Sequence, residues 1–210
     1  MGALSGAMSA SKFYVQGELP KDARRSFMDR IQLRVFRPLR PEEEAEERAG
    51  WCAVAQPFDL ELSPDKVFNG PYLCLGVRID TYRFPPAVIH AELAQAERAL
   101  REKRGQERLS RPQKVEVKQR VLSGLRRRYM PRMRAVDLVW NLDRQELYFW
   151  SQSAGMREQL AAQFELSFGL ELVLDSPFVA ATRVIDDKVL GAALQDVTLS
   201  AFHEVTHGSR

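Results

Sequence analysis

A chain of 210 residues that is 45% hydrophobic can fill a core in one large domain or two small ones, which excludes an intrinsically disordered protein. Its 31 basic and 28 acidic residues leave a formal charge of only +3, so where the charges sit matters more than their total. No apolar run approaches the roughly 18 residues that cross a bilayer, and the uncharged start lacks the basic region of a secretory signal; the expected location is the cytoplasm, with no membrane partner.

Residues 1–11 are small and uncharged and read as a flexible tail. Lys12 to Glu18 alternates around Phe13 and Val15 and predicts a strand. Phe27, Ile31 and Val35 recur every four residues and predict a helix over Asp22 to Val35, stopped by Pro38 and Pro41. The acidic run Glu42 to Glu47 reads as a solvated loop. Trp51 to Ala55 and Tyr72 to Ile79 predict strands, the second in strict alternation through Leu73, Leu75, Val77 and Ile79, after an Asn69-Gly70 turn. Cys52 and Cys74 lie far apart in apolar segments and read as reduced core thiols, with a disulfide as the alternative. Residues 12–84 thus form an N-terminal α/β half.

Residues 85–135 differ in character. Pro85-Pro86 opens a helix carrying Ile89, Leu93, Ala96 and Leu100, closed at Gly105; Ser110 with Gln113 forms a capping box for a second helix carrying Val117, Val121, Leu125 and Tyr129. Both stripes are narrow, which predicts a two-helix arm projecting from the body. Residues 136–180 return to ββαβ. The strands Asp137 to Leu142 and Glu146 to Trp150 flank a hairpin turn, a helix capped by Ser153 carries Met156, Leu160 and Phe164, and Leu170 to Leu174 is a last strand. Residues 181–210 form a C-terminal tail segment. The expected fold class is α+β, with antiparallel sheets, packed helices, two similar halves and the projecting arm.

The strongest chemical signal is basic. From Lys103 to Arg134 only Glu107 and Glu116 oppose Lys103, Arg104, Arg108, Arg111, Lys114, Lys118, Arg120, Arg126, Arg127, Arg128, Arg132 and Arg134. Arg111, Lys114 and Lys118 share one helix face. A row of cations releases the counterions of a phosphate backbone, the main source of non-specific affinity. Arg126-Arg127-Arg128-Tyr129-Met130-Pro131-Arg132 places guanidinium forks beside a ring and a thioether. With the helix ending near Leu125 before Pro131, the three arginines splay from a loop, and Tyr129 is either the last contact of the stripe or an exposed wedge, with Met130 as the apolar tip. The bland alternative is a basic solvated face.

A second motif, His203-Glu204-x-x-His207, sets two histidines one helical turn apart, as in a zinc hydrolase with Glu204 as base. The only other histidine is His90, so a third histidine ligand downstream is lacking, and two surface histidines at a helix end are the competing reading. No phosphate-binding or dinucleotide glycine loop and no nucleophile elbow is present, and no cofactor is expected. Asp186-Asp187 reads as a solvated pair. A protein-interaction module without DNA contact is the remaining rival.

Several segments in order resemble the recombination-associated protein RdgC family. They are Gly50-Trp51, Asn69-Gly70 with the Leu73 to Ile79 strand, Pro85-Pro86-Ala87-Val88-Ile89, Leu109-Ser110-Arg111-Pro112-Gln113-Lys114 with Val117-Lys118 and Val121-Leu122, and Trp140 to Asp143 with Leu147 to Trp150 and Ser153-Ala154. The resemblance implies a nucleoid-associated, non-enzymatic protein that binds double-stranded DNA without sequence preference as a homodimeric ring and restrains a recombinase. It also implies a basic, aromatic finger after the second arm helix. Leu125-Arg126-Arg127-Arg128-Tyr129-Met130 stands at that place, with Arg128 and Tyr129 or Met130 as counterparts of its arginine and phenylalanine. The family's proline differs here, and the tail after Asp175-Ser176-Pro177 does not match. The expected DNA-binding set is Arg111, Lys114, Lys118, Arg126, Arg127, Arg128, Tyr129, Met130, Arg132 and Arg134.

Overall fold

Strict alternation of apolar residues builds the central strand. In the computed structural model, which describes residues 2–4, 9–185 and 188–195, β4 spans Tyr72–Thr81 and buries Leu73, Leu75, Val77 and Ile79 on one face. Its partners are β2 (Glu47–Cys52), the short β3 (Phe68–Asn69) and the long β5 (Arg132–Asn141). Gly70 makes the tight β3–β4 turn at φ 55°, a backbone region that favours glycine. β6 (Glu146–Phe149) continues the sheet, followed by β1 (Ser11–Gln16) and β7 (Glu171–Leu174), in the order β2-β4-β5-β6-β1-β7. The registers joining β1 to β6, β6 to β5, and β4 to its three partners are all antiparallel.

The segments on either side of the helical hairpin contribute to one continuous sheet. β1, from the N-terminal segment, sits between β6 and β7, so residues 12–84 and 136–173 share one core. Non-local pairing also moves two boundaries. β2 starts at Glu47 rather than Trp51, and β5 starts at Arg132 rather than Asp137, because the far end of β4 zips onto both, through Glu47–Thr81 and Arg132–Thr81. The outer edge of β2 is covered by residues 34–36: Trp51 N–H donates to the Arg34 carbonyl and Phe36 N–H donates to the Trp51 carbonyl.

Helices α1 (Ala23–Leu33) and α5 (Ala154–Phe168) meet each other, and their buried residues join the sheet core. The rings of Phe27, Trp140, Phe164 and Phe168 pack at centroid distances of 4.7–5.5 Å, mostly edge-on or tilted. Trp51 adds its ring at 5.8 Å from Phe168 and donates its Nε1 hydrogen to Ser167 Oγ at 2.8 Å. The one-turn α2 (Pro64–Val67) closes the loop before β3.

The other face of the sheet carries a buried polar knot. Arg78 grips Asp80 with Nε (2.9 Å) and Nη2 (2.7 Å), gives Nη1 to the Pro57 carbonyl, and lies under the rings of Phe36 and Phe58. Asp137 accepts the Ala3 amide at 2.9 Å and the Ala55 amide at 3.0 Å, so Ala3, from the expected flexible tail, makes a defined contact, and Ser11 already belongs to β1. Cys52 and Cys74 are free thiols; burial, then the nearby Asp137 carboxylate, pushes the Cys52 thiol up to about 12.

α3 (Pro86–Arg104) and α4 (Arg111–Arg128) form the expected helical hairpin, with Gly105 in the left-handed C-cap and the Ser110–Gln113 capping box in place. The described residues up to Val173 form one compact unit and those from Leu174 a second. In the second, Ser176 caps α6 (Pro177–Val184) by accepting the Val179 amide, and α6 packs on α7 (Lys188–Gln195). Among the described residues no helix is long and apolar enough to cross a membrane.

Candidate nucleic-acid interface

The arm holds together through few contacts. Only Val117, Val121 and Leu125 form its buried centre, against Phe84, Val88, Ile89, Leu93, Ala96 and Leu100, and α3 buries no residue fully. At about 1.5–3 kcal/mol per buried side chain, this cluster suffices to pair two helices and leaves the rest of both surfaces to charge. Arg111, Lys114 and Lys118 stand exposed along α4 with no ion-pair partner among the described residues. Arg120 is exposed and bridged to Glu116 one turn away.

The three consecutive arginines do not splay from a loop. α4 continues through Arg128 instead of ending near Leu125, because Leu125 is fully buried and the Tyr129 amide still donates to its carbonyl at 2.9 Å. The helix therefore points the three side chains in three directions. Arg126 turns inward: it is 8% exposed and donates Nη2 to the Glu44 carbonyl at 2.9 Å, while its buried Nε has no partner. Among the expected contact residues it is the one the fold withdraws from solvent, as a tie between the arm and the acidic loop. Arg128 reaches across the hairpin to Glu92 at 2.7 Å and clasps α4 to α3. Arg127 faces outward, with Glu42 at 4.0 Å as its nearest acid.

The acidic run is largely exposed, as expected, and also touches the arm. Glu42 and Glu44 lie against Arg127 and Arg126, and Glu43 pairs with Arg48. Beyond the helix, Tyr129 is 39% exposed, its ring edge-on to Phe84 at 5.7 Å, a position between core contact and wedge. Met130 is 94% exposed, between the end of α4 and the start of β5.

Arg132 and Arg134 belong to the sheet rather than to the arm. They lie two residues apart on β5, opposite Thr81 and Ile79, and so share the face on which α5 packs. There the sheet surface emerges past the first turn of α5 into a cleft of about 240 Å³ lined by Glu47, Arg83, Arg132, Arg134, Gly155 and Gln159, among others. Arg83 was not among the expected contact residues. Its signal was present: it continues the Ile79, Thr81 parity of β4 into the turn before α3. Ser153 precedes α5 as expected, but its side chain accepts no amide of the first turn.

Among the described residues no group of three His, Cys, Asp or Glu could hold a metal ion. His203, Glu204 and His207 lie outside the described residues, as do Asp186 and Asp187. No protein-family model matches the chain, and no curated protein matches it significantly.

Proposed function

We propose that this chain binds duplex DNA without sequence preference, through the exposed cations of its helical arm and of the strand ends at the arm's base, and performs no chemistry of its own. The observation that carries the reading is the contrast in pairing along one helix. Arg111, Lys114 and Lys118 lack ion-pair partners among the described residues, whereas Arg120, Arg126 and Arg128 are occupied within the chain. Arg127, exposed on another side of α4, and Arg132 and Arg134 on β5 are further exposed cations. Unpaired cations on a thinly packed projection have a phosphate backbone as their natural counter-charge. The resemblance to the RdgC family supplies the context: a homodimer on the nucleoid that restrains a recombinase.

The test is duplex affinity measured across salt. Four to seven phosphates neutralised give a slope of log affinity on log salt of about −4 to −6. The Lys114→Ala/Lys118→Ala variant is expected to flatten that slope by about 2 and weaken all sequences alike, because phosphate contacts carry no sequence information. Its stability shifts by no more than about 0.5 kcal/mol, both residues being exposed. Affinity that stays flat from low to physiological salt refutes the proposal.

A further inference from the structure

The geometry points to a discrete phosphoryl-anion site in the cleft beside the start of α5, held by Arg83, Arg132 and Arg134 and occupied by a phosphate of a nucleic-acid strand. Arg83, Arg132 and Arg134 all line one cleft of about 240 Å³, and no guanidinium of the three has a hydrogen-bond or ion-pair partner among the described residues. Like charges gathered this way repel one another, and a bound anion relieves that repulsion.

The cleft's acid, Glu47, offsets one of the three charges but forms no ion pair with any of the arginines, so their donors stay open. Its carboxylate accepts from Thr81 Oγ1 at 3.0 Å and from Gln159 Nε2 at 2.9 Å, neutral donors that hold it against β4 and α5. The register explains the layout. Glu47, Thr81 and Arg132 form one row across β2, β4 and β5, and Ala49, Ile79 and Arg134 form the next, all on the face where α5 begins.

The chemistry selects the ligand. Each arginine offers a planar fork of donors that matches phosphate or carboxylate oxygens two at a time. A backbone phosphodiester carries one charge and two non-bridging oxygens, as a carboxylate does, but a strand brings such a group at every nucleotide, so neighbouring phosphates compensate the cations that a lone carboxylate would leave. The first turn of α5 adds to the arginines: it has no acidic residue, no side-chain cap, and open space around Gly155. The cleft adjoins the point where both arm helices join the sheet, since Arg83 precedes α3 and Arg132 follows α4. A strand lying along the arm therefore has this cleft at the arm's base. The strand source rests on the DNA-binding reading above; the anion site does not.

Inorganic phosphate is the first probe, titrated against chloride at matched ionic strength while the amide resonances of Gly155, Met156 and Gln159 are followed. Saturable shifts are expected, with binding at least tenfold weaker in the Arg132→Ala/Arg134→Ala variant, whose replaced side chains are exposed and leave the core intact. Absent saturation, or equal binding by the variant, overturns the site. A saturating duplex is then added to the phosphate complex. Reversal of the phosphate shifts supports a strand phosphate as occupant. Phosphate that stays bound while the duplex occupies the arm identifies a small phosphate ester and overturns the strand assignment. A duplex that fails to bind at all overturns the DNA reading and the strand assignment together, while the phosphate titration still decides the cleft.

Discussion

The back face of the sheet and the cleft at the arm's base use arginine to opposite ends. Arg78 and Arg134 sit in adjacent rows of β4 and β5 and project to opposite faces. Arg78 is buried, gripped by Asp80 and roofed by two aromatic rings; Arg134 is exposed, beside two further arginines and no free acid of the cleft. Composition cannot tell them apart. What separates them is whether the chain itself supplies the counter-charge. Where it does, the cation is part of the fold; where it does not, the cation is open to a ligand.

The sharpest way to break this comparison is Arg78→Ala. It leaves Asp80 buried without its cation, and losing one partner of a buried pair costs about 3–5 kcal/mol. Urea unfolding should show that loss, and the removal of Arg134 should leave the midpoint almost unchanged. Equal stability losses at the two positions would refute the division into fold and ligand arginines.

A smaller effect is expected in the arm. Leu125 is fully buried in the three-residue centre of the hairpin, and Leu→Ala at such a site costs about 2–5 kcal/mol. Because the arm has its own small cluster, the loss should fall on it first. Amides of residues 86–128 should exchange faster with solvent, while those of β4 and β5 keep their protection. Uniform loss of protection would show that arm and sheet unfold as one unit.

The smallest effect concerns the acidic loop. Glu42 lies 4.0 Å from Arg127, and both side chains are two-thirds exposed. An exposed pair of this kind contributes about 0.2–1 kcal/mol. Glu42→Gln should therefore strengthen duplex binding only about two- to threefold at low salt, and the gain should fade as salt rises. A loss of affinity would show that the loop assists binding instead of competing for Arg127.

The sequence carried more of the elements than of the site. Alternation through Leu73 to Ile79, the four-residue stripe at Phe27 and Ile31, and the capping box at Ser110 each act within a few residues, so they are legible without tertiary knowledge. The strand starts at Glu47 and Arg132 were not legible, because the far end of β4 creates them. The same pairing took Arg132 and Arg134 out of the arm and set Arg83 beside them. Arg126 looked identical to Arg127 and Arg128 in the sequence; only the Glu44 carbonyl, 82 residues away, distinguishes it.

By itself the sequence determined that this is an α+β protein with a basic helical arm, since apolar period and charge density are local properties of the chain. Tertiary structure alone decided that the two segments flanking the arm share one sheet, with β1 between β6 and β7. It alone also decided which arginines are spent inside the fold and which are left facing solvent. The physical reason is that a cation's availability depends on the groups around it, and those groups come from strands, loops and helix ends far away in the chain.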